Sequence, residues 1–192
     1  ADLLGVDFAR DAVHAAKSGE SLISRARRML GGAARLHLCA DFSRLPIRAG
    51  CVDMVWSNLA LAWEAEPIAT FRELHRVLAS GGLLMLSSYG PDTLKQLRDA
   101  FGAGSPRRRV HSFTDMHDVG DMLVASGFAE PVMDMERITL TYPDVPALAR
   151  DLKASGQTCA AADRRRGLMG RAGWRTMLDA YERKRENGSL PA

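Results

Sequence analysis

The sequence predicts an α/β fold in which helices flank a parallel sheet. Three short apolar runs, at residues 3–6, 36–40 and 52–57, have the length and composition of strands buried on both faces. Helical segments separate the runs, and this alternation implies parallel pairing with right-handed crossovers. Polar residues follow each run, so the carboxyl ends of the strands are expected to open into a ligand crevice.

Two helices and a fourth strand complete this half of the chain. The first helix is predicted over residues 11–30, where a glycine pair follows it. The second is predicted over residues 67–78, because a proline stands at its start and apolar side chains recur on one face. Gly81 and Gly82 are expected to end it, and a fourth strand is predicted over residues 83–88.

The second half of the chain predicts four more helices and two late strands. The helices are expected over residues 93–101, 115–126, 144–153 and 174–185, and Pro143 with Asp144 is expected to cap the third of them. The strands are expected over residues 131–135 and 137–142, and polar loops over residues 102–109 and 157–173.

Composition and charge narrow the classes of function. Of the 192 residues, 46% are apolar and 26% are charged, as in an ordinary globular domain. A net charge of +3 is a weak argument for a nucleic-acid partner. The three cysteines lack CxxC spacing, which argues against a disulfide framework and a zinc site and fits a reducing cytoplasm. No apolar run is long enough to span a bilayer, so no membrane partner is expected.

Two aspartates, Asp7 and Asp41, close successive predicted strands. A carboxylate at such a strand end accepts hydrogen bonds from ribose hydroxyls or from an adenine amino group, so the pair suggests an adenosine-containing cofactor. Asp41 is expected to accept from adenine while the Phe42 backbone N–H donates to the ring, with Leu45 and Pro46 shaping the loop. The alternatives are an acid at the start of a helix for Asp7 and an ordinary turn aspartate for Asp41.

The third strand runs into a polar and then apolar stretch. Asn58 and Leu59 stand at the start of this stretch and are expected to line the crevice near the reacting group. Trp63, at its end, is a candidate for substrate contact. Plain core packing is the alternative for Leu59, Leu61 and Trp63.

These motifs, in this order, resemble those of class I S-adenosylmethionine-dependent methyltransferases. The matching segments cover residues 5–94 and are GVD, ADFSRLP, VDMVWSNLALAW and FRELHRVLASGGLLMLSSYGPDTL. The resemblance implies a Rossmann-like sheet flanked by helices, with an antiparallel pair of late strands at its edge. It also implies S-adenosylmethionine as the cofactor, held by Asp7, Phe8, Asp41, Phe42, Asn58 and Leu59.

The second half of the chain resembles a smaller group within these methyltransferases. The segments GPDTLKQLRDAF, HSFTDMHDVGDMLVASGFAEPVMDMERITLTYPDV and ARDLKASG are similar to those of malonyl-acyl carrier protein methyltransferases of biotin synthesis. Those enzymes esterify the free malonyl carboxylate, which implies a malonyl-carrying acyl carrier protein as the partner. A related family contains a mitochondrial complex I assembly factor with arginine hydroxylase activity, and a non-catalytic methyltransferase-like scaffold is a further alternative.

A carboxylate acceptor is already ionised at neutral pH, so this reaction implies alignment of the reactants and no catalytic base. A cationic group would hold the malonyl carboxylate, and Arg150 and Lys153 are the candidates. The alternative is that both lie on a solvated helix face. Tyr89 is expected to form a wall of the pocket, whereas His111 and His117 are not expected to be catalytic.

Two arginine triplets, at residues 107–109 and 164–166, have three interpretations. They are solvated loops, a docking surface for an acidic acyl carrier protein, or an RNA-binding surface. No aromatic residue is interleaved with the arginines, so RNA ranks last.

The resemblance also places a first strand and a glycine-rich loop, which back the methionine part of the cofactor, just before Ala1. We therefore interpret the chain as a fragment of a longer protein. Within it we predict a single methyltransferase-like domain over residues 1–192. Residues 1–94 would bind the cofactor, and residues 95–192 would supply the substrate-side helices and late strands.

Overall fold

The computed structural model describes residues 2–18, 35–102, 109–159, 161, 163–164 and 166–192. The chain divides into two compact units. The first unit comprises Ala1–Trp56, Glu66–Leu86 and Met122–Ala129, and the second comprises Ser57–Ala65, Ser87–Asp121 and Glu130–Ala192. The single domain over residues 1–192 stays a prediction.

The first unit begins with a parallel strand pair. Strand β1 (Leu3–Asp7) lies beside β2 (Arg35–Cys39), with Asp7 opposite Cys39 in the register. Helix α1 (Arg10–Ser18) follows β1 directly. The bounds of the predicted strands are thus confirmed to within a residue or two, and the predicted helix is confirmed up to Ser18. The predicted burial of these strands on both faces is wrong, since Leu3 and Leu36 are both 59% exposed. Its second half, with the glycine pair expected to end it, lies outside the described residues.

A second strand pair is built around a well-packed helix. Strand β3 (Val52–Asn58) neighbours β4 (Leu78–Ser87), and helix α2 (Pro67–Val77) connects them. The apolar face of α2 buries Leu74 and Val77 against Leu45, as the one-sided apolar pattern predicts. Backbone bonds from Cys51 to Val77 and from Leu59 to Ser87 advance together along β3 and β4, which is typical of parallel strands.

The predicted boundary between α2 and β4 is wrong. The helix ends at Val77, and Leu78 is already extended, with φ −67° and ψ 137°. Gly81 and Gly82 therefore lie inside β4 and do not end the helix. Gly81 has φ +77°, and a Cβ on Gly82 would stand 2.9 Å from the Ala79 carbonyl oxygen. A glycine pair bends a strand as readily as it ends a helix, so the sequence signal was ambiguous.

The second unit packs helices around its own core. These elements are a 3₁₀ helix (Ala60–Trp63), α3 (Lys95–Ala100), α5 (Val145–Ala154) and α6 (Arg171–Glu182). The side chains buried together in this core are Leu97, Ala100, Val110, Val145, Leu148, Met177, Tyr181 and Leu190. Helix α4 (Met116–Ala125) has residues in both units. Asp144 caps α5 as predicted, since its carboxylate accepts the Ala147 N–H at 2.7 Å.

The predicted pair of late strands is mostly wrong. Residues 131–140 form no strand, and a short strand β5 (Thr141–Tyr142) pairs in antiparallel fashion with β6 (Leu190–Pro191) at the far end of the chain. The apolar side chains that suggested strands remain in solvent, with Val132 94% exposed. An apolar segment forms a strand only where a neighbouring strand and a buried face exist. Among the described residues, 131–139 have neither, whereas Leu140 extends the β5–β6 pairing through two backbone hydrogen bonds with Ala192. Helix α6 also starts and ends three residues earlier than predicted.

The α/β alternation is confirmed, but the strands of the described residues form three two-stranded sheets. These sheets are β1–β2, β3–β4 and β5–β6.

The antiparallel pair β5–β6 is tied to the core by one buried hydroxyl. The Tyr181 hydroxyl donates to the Pro191 carbonyl oxygen at 2.7 Å. Burial raises the pKa of Tyr181 to about 12, so the phenol remains a donor throughout the neutral range.

We expect Tyr181→Phe to destabilise the protein by about 1–3 kcal/mol, because it leaves a buried carbonyl without its donor. Urea unfolding followed by circular dichroism measures this. Tyr142→Phe is the matched control, since it removes a hydroxyl that bonds Asp151 at the surface. An equal loss in both variants would show that the buried bond has no special role.

Candidate active site

The parallel pairing of β1 with β2 brings two predicted cofactor residues to one edge of the first unit. The Ala40 backbone N–H donates to the Asp7 carbonyl oxygen at 3.1 Å, so the chain leaves both strands side by side. Asp41 follows one residue later, and both Asp7 and Asp41 are exposed. The carboxyl ends of the strands thus present two acids at the same edge, as the sequence predicts.

Asp7 has a structural task of its own. Its Oδ1 accepts the Ala9 backbone N–H at 2.8 Å, directly before α1 begins. This bond supports the alternative interpretation of Asp7 as an acid at a helix start. It occupies one carboxylate oxygen, and no hydrogen bond to Oδ2 is found among the described residues. The neighbouring Phe8 is 62% exposed, so its ring faces solvent at this edge.

Asp41 is held by a tight turn. Its Oδ1 accepts both the Ser43 backbone N–H at 2.8 Å and the Ser43 hydroxyl at 2.7 Å. The hydroxyl bond, followed by the backbone bond, keeps the pKa of Asp41 below its ordinary value. The carboxylate is therefore a permanent anion at neutral pH, with a fixed orientation. Within the described segments, its Oδ2 takes no hydrogen bond and no acceptor takes the Phe42 N–H.

An ion pair on α2 fixes the loop after Asp41. Glu73 Oε1 accepts the Leu45 backbone N–H at 2.6 Å, and Arg76 Nη2 donates to the Leu45 carbonyl oxygen at 3.1 Å. The two side chains also bind each other through two bonds of 2.7 Å. Both backbone groups of Leu45 are therefore satisfied by one bidentate pair, while its side chain fills the core. We call Glu73 and Arg76 the loop clamp.

Sequence reasoning missed the loop clamp. The signal was an acid and a base three residues apart on a predicted helix, a spacing that places them on one face. Nothing in that spacing indicates that the pair reaches the backbone of a loop 28 residues earlier in the chain.

Asn58 and Leu59 lie in the second unit, at the end of β3. Asn58 Oδ1 accepts the Ser87 hydroxyl at 2.6 Å, and the Leu59 N–H donates to the Ser87 carbonyl oxygen at 3.0 Å. Leu59 has φ 57° and ψ 10°, a left-handed conformation that is uncommon for leucine. Ser87, at the end of β4, thus positions both predicted residues, and this role was not foreseen.

An aromatic cluster in the second unit unites two predicted substrate residues. Trp63 packs edge-on against His111, with 5.8 Å between ring centroids. His111 in turn faces Phe113 at 5.9 Å, and Phe113 contacts Tyr89 at 5.1 Å. We call these four side chains the aromatic wall. Phe113 was not predicted, and His111 is a packed ring of this wall. That His111 has no catalytic task stays a prediction.

Arg98 holds the backbone of the aromatic wall in place. Its guanidinium donates to the His111 carbonyl oxygen at 2.9 Å and to the Pro91 carbonyl oxygen. A guanidinium committed to carbonyl groups positions a loop and is not available as a carboxylate clamp.

No hydrogen bond or ring contact joins the candidate cations to the aromatic wall among the described residues. Arg150 and Lys153 are both exposed on α5, with no side-chain hydrogen bond in the described part of the chain. His117 is also exposed, and its Nδ1 lies 2.8 Å from Asp115 Oδ1. In the arginine triplets, residues 107, 108 and 165 lie outside the described residues.

The chain is similar to known proteins both in sequence and in fold. Residues 1–86 match the family model described as a methyltransferase domain. A malonyl-[acyl-carrier protein] O-methyltransferase of Gallionella capsiferriformans is 50% identical over all 192 residues. The chain is similar to the methyltransferase family over these residues. It covers 65% of the length of that relative, and thus less than two thirds of it.

Solved structures of low sequence identity show the same methyltransferase fold. The YcgJ protein of Bacillus subtilis has a TM-score of 0.61 at 13% identity, over 97% of this chain and 70% of that one. An S-adenosylmethionine-dependent methyltransferase of Mesorhizobium loti has a TM-score of 0.51 at 19% identity, over 85% of this chain and 76% of that one. The predicted class I fold is confirmed. No helix in the described ranges is long and apolar enough to cross a membrane.

We expect Glu73→Gln to destabilise the chain by about 1 kcal/mol at neutral pH, because it breaks the ion pair of the loop clamp. The Arg76 bond, with a smaller contribution from the Leu45 N–H, lowers the pKa of Glu73, so its stabilisation is present above the ordinary value of 4.5. That contribution disappears as the pH falls through the lowered value in the folded state.

Urea unfolding across an acid pH series measures the difference between the two proteins. It should be largest near neutral pH and shrink towards acid pH. Glu66→Gln is the control, since Glu66 stands at the N-cap of the same helix without a side-chain capping bond. A difference that does not change with pH would contradict the role of the Glu73 charge.

Proposed function

We propose that this protein transfers a methyl group from S-adenosylmethionine to the free carboxylate of a malonyl thioester on acyl carrier protein. The observation that carries the proposal is 50% identity, over the whole chain, to a protein named for this reaction. Two exposed acids at the edge of a parallel strand pair add chemical support, because they suit the hydroxyl and amino groups of adenosine. The reaction is an early step of biotin synthesis, and the protein would act in the cytoplasm.

The first unit fits the adenosine part of the cofactor. Asp7 and Asp41 each keep one carboxylate oxygen clear of the local bonds that fix the other. Asp7 would accept from the ribose hydroxyls, and Asp41 from the adenine amino group. The Phe42 N–H would donate to the ring, and Phe8 would cover an apolar face. The loop clamp holds the Asp41 loop in position before binding, which reduces the entropy lost on association.

The second unit fits the acceptor side of the reaction. When bound, the cofactor supplies an electrophilic methyl group. Asn58 and Leu59 would line the cleft near it, in the conformation that Ser87 enforces. The aromatic wall, through Trp63 and Tyr89, would border the acyl chain and exclude water. Arg150 or Lys153 would bind the malonyl carboxylate.

No proton needs to be removed from the acceptor, because a carboxylate is ionised at neutral pH. The task of the protein is therefore to align the carboxylate oxygen with the methyl group in a dry pocket. This explains why no acid–base pair is required among the residues assigned to the site.

The direct test is methyl transfer from radiolabelled S-adenosylmethionine to malonyl-acyl carrier protein, using the chain extended to the length of its relatives. Label should enter a base-labile ester, and unloaded carrier protein should remain unlabelled. Cofactor binding without methylation of the malonyl carrier would contradict the proposed substrate.

Substitutions at Asp7 distinguish a role in ribose binding from a role in helix capping. Asn keeps one oxygen for the Ala9 N–H but lacks a second acceptor for ribose, whereas Ala removes both. We expect Asp7→Asn to keep wild-type stability but to weaken cofactor binding about 10- to 100-fold, because a charge-assisted bond is worth roughly 1.5–3 kcal/mol. Calorimetric titration and thermal unfolding measure the two effects.

Asp11→Asn, in the first turn of the same helix, is the matched control and should keep wild-type affinity. Unchanged affinity in Asp7→Asn, together with lost stability in Asp7→Ala, would restrict Asp7 to the capping role.

A further inference from the structure

Three arginines around the start of α6 form no ion pair among the described residues. Arg166, Arg171 and Arg175 are exposed, and no carboxylate of the described residues lies within ion-pair distance of them. Other cations, such as Arg76, Lys95, Arg137, Lys184 and Arg185, have acidic partners within 3.2 Å, whereas Arg150 and Lys153 on α5 resemble these three in having none. The three unpaired arginines lie within ten residues of sequence, so their fields add.

The helix itself reinforces this positive field. Helix α6 starts at Arg171, has no acid in its first turn, and is preceded by Gly170, which gives no side-chain cap. Acids are favoured at a helix N-terminus, because the helix dipole places partial positive charge there. A cation at this position opposes local stability. Such a conflict with local preference is expected at functional surfaces.

Apolar side chains interrupt the arginines. Leu168 is 95% exposed, and Trp174, which is 38% exposed, lies three residues after Arg171 on the same helix face. Arginine and tryptophan are enriched at protein interfaces and supply much of their binding energy. A purely solvated charge run would not need exposed apolar groups of this size between its charges.

We propose that the surface formed by Arg166, Leu168, Arg171, Trp174 and Arg175 docks the acyl carrier protein. The partner must be acidic to match three unpaired guanidinium groups, and it must offer an apolar patch for Leu168 and Trp174. The inference rests on the proposed function, which makes a carrier protein the vehicle of the substrate. It extends that function by assigning a surface that recognises the carrier protein. This surface consists of residues other than those proposed to contact the acyl group.

The test compares two substrates that differ only in the carrier. Malonyl-acyl carrier protein presents the whole partner surface, whereas malonyl-pantetheine presents only the thioester arm and carries no phosphate. We expect Arg171→Glu with Arg175→Glu to raise KM for the carrier-linked substrate about tenfold or more at low salt. KM for malonyl-pantetheine should remain at the wild-type value. Glutamate near the start of α6 agrees with the helix dipole, so the variant should fold.

Arg48→Glu with Arg72→Glu is the matched control, because it makes the same change of net charge at exposed positions of the first unit. This control should keep the wild-type KM for both substrates. A wild-type KM for the carrier in Arg171→Glu with Arg175→Glu would overturn the docking surface. A second result would also overturn the docking surface: RNA binding that is lost in Arg171→Glu with Arg175→Glu but kept in the control, while methylation stays unchanged. If wild-type protein methylates neither substrate, the proposed function itself has failed.

Discussion

The register between β1 and β2 is the constraint on which the proposed cofactor site depends. With Asp7 opposite Cys39, the chain leaves both strands at the same edge, and two acids meet there. A shift of one residue would turn every side chain of a strand to the opposite face and separate them. The local bonds to Ala9 and Ser43 then fix one oxygen of each carboxylate, which leaves the other to point outward. Backbone pairing thus brings the two acids to one edge, and hydrogen bonds within the turns that follow then orient their carboxylates.

The loop clamp extends this preparation to the backbone around Asp41. Leu45 is held at its N–H by Glu73, at its carbonyl group by Arg76, and at its side chain by the core. A loop fixed in this way loses little freedom when a ligand binds, and this improves affinity without adding a contact. In the second unit Ser87 has a comparable effect, since it bonds to Asn58 and holds Leu59 in an uncommon conformation. Both devices act through residues that would not contact the cofactor.

The sequence was informative wherever local pattern decides the structure. The parallel strands, helix α2 and the Asp144 cap all follow from apolar periodicity, proline position and capping chemistry. It failed where the outcome depends on a distant partner. The described residues offer no neighbouring strand to residues 131–139, while Leu140, Thr141 and Tyr142 pair with residues about fifty positions later in the chain. The loop clamp and Phe113 escaped prediction for the same reason, because their roles come from contacts far apart in sequence. For Asp7 the sequence left two roles open; the structure shows the bond at the helix start, and the cofactor role stays a proposal.

We propose that the edge formed by Asp7, Asp41 and Phe42 binds adenosine. The most direct measurement is a crystal structure of the chain, extended to the length of its relatives, with S-adenosylhomocysteine. We expect the ribose hydroxyls to lie within hydrogen-bond distance of Asp7. The adenine amino group should donate to Asp41, and the Phe42 N–H should donate to a ring nitrogen. An adenosine bound elsewhere, with both acids still in solvent, would contradict it.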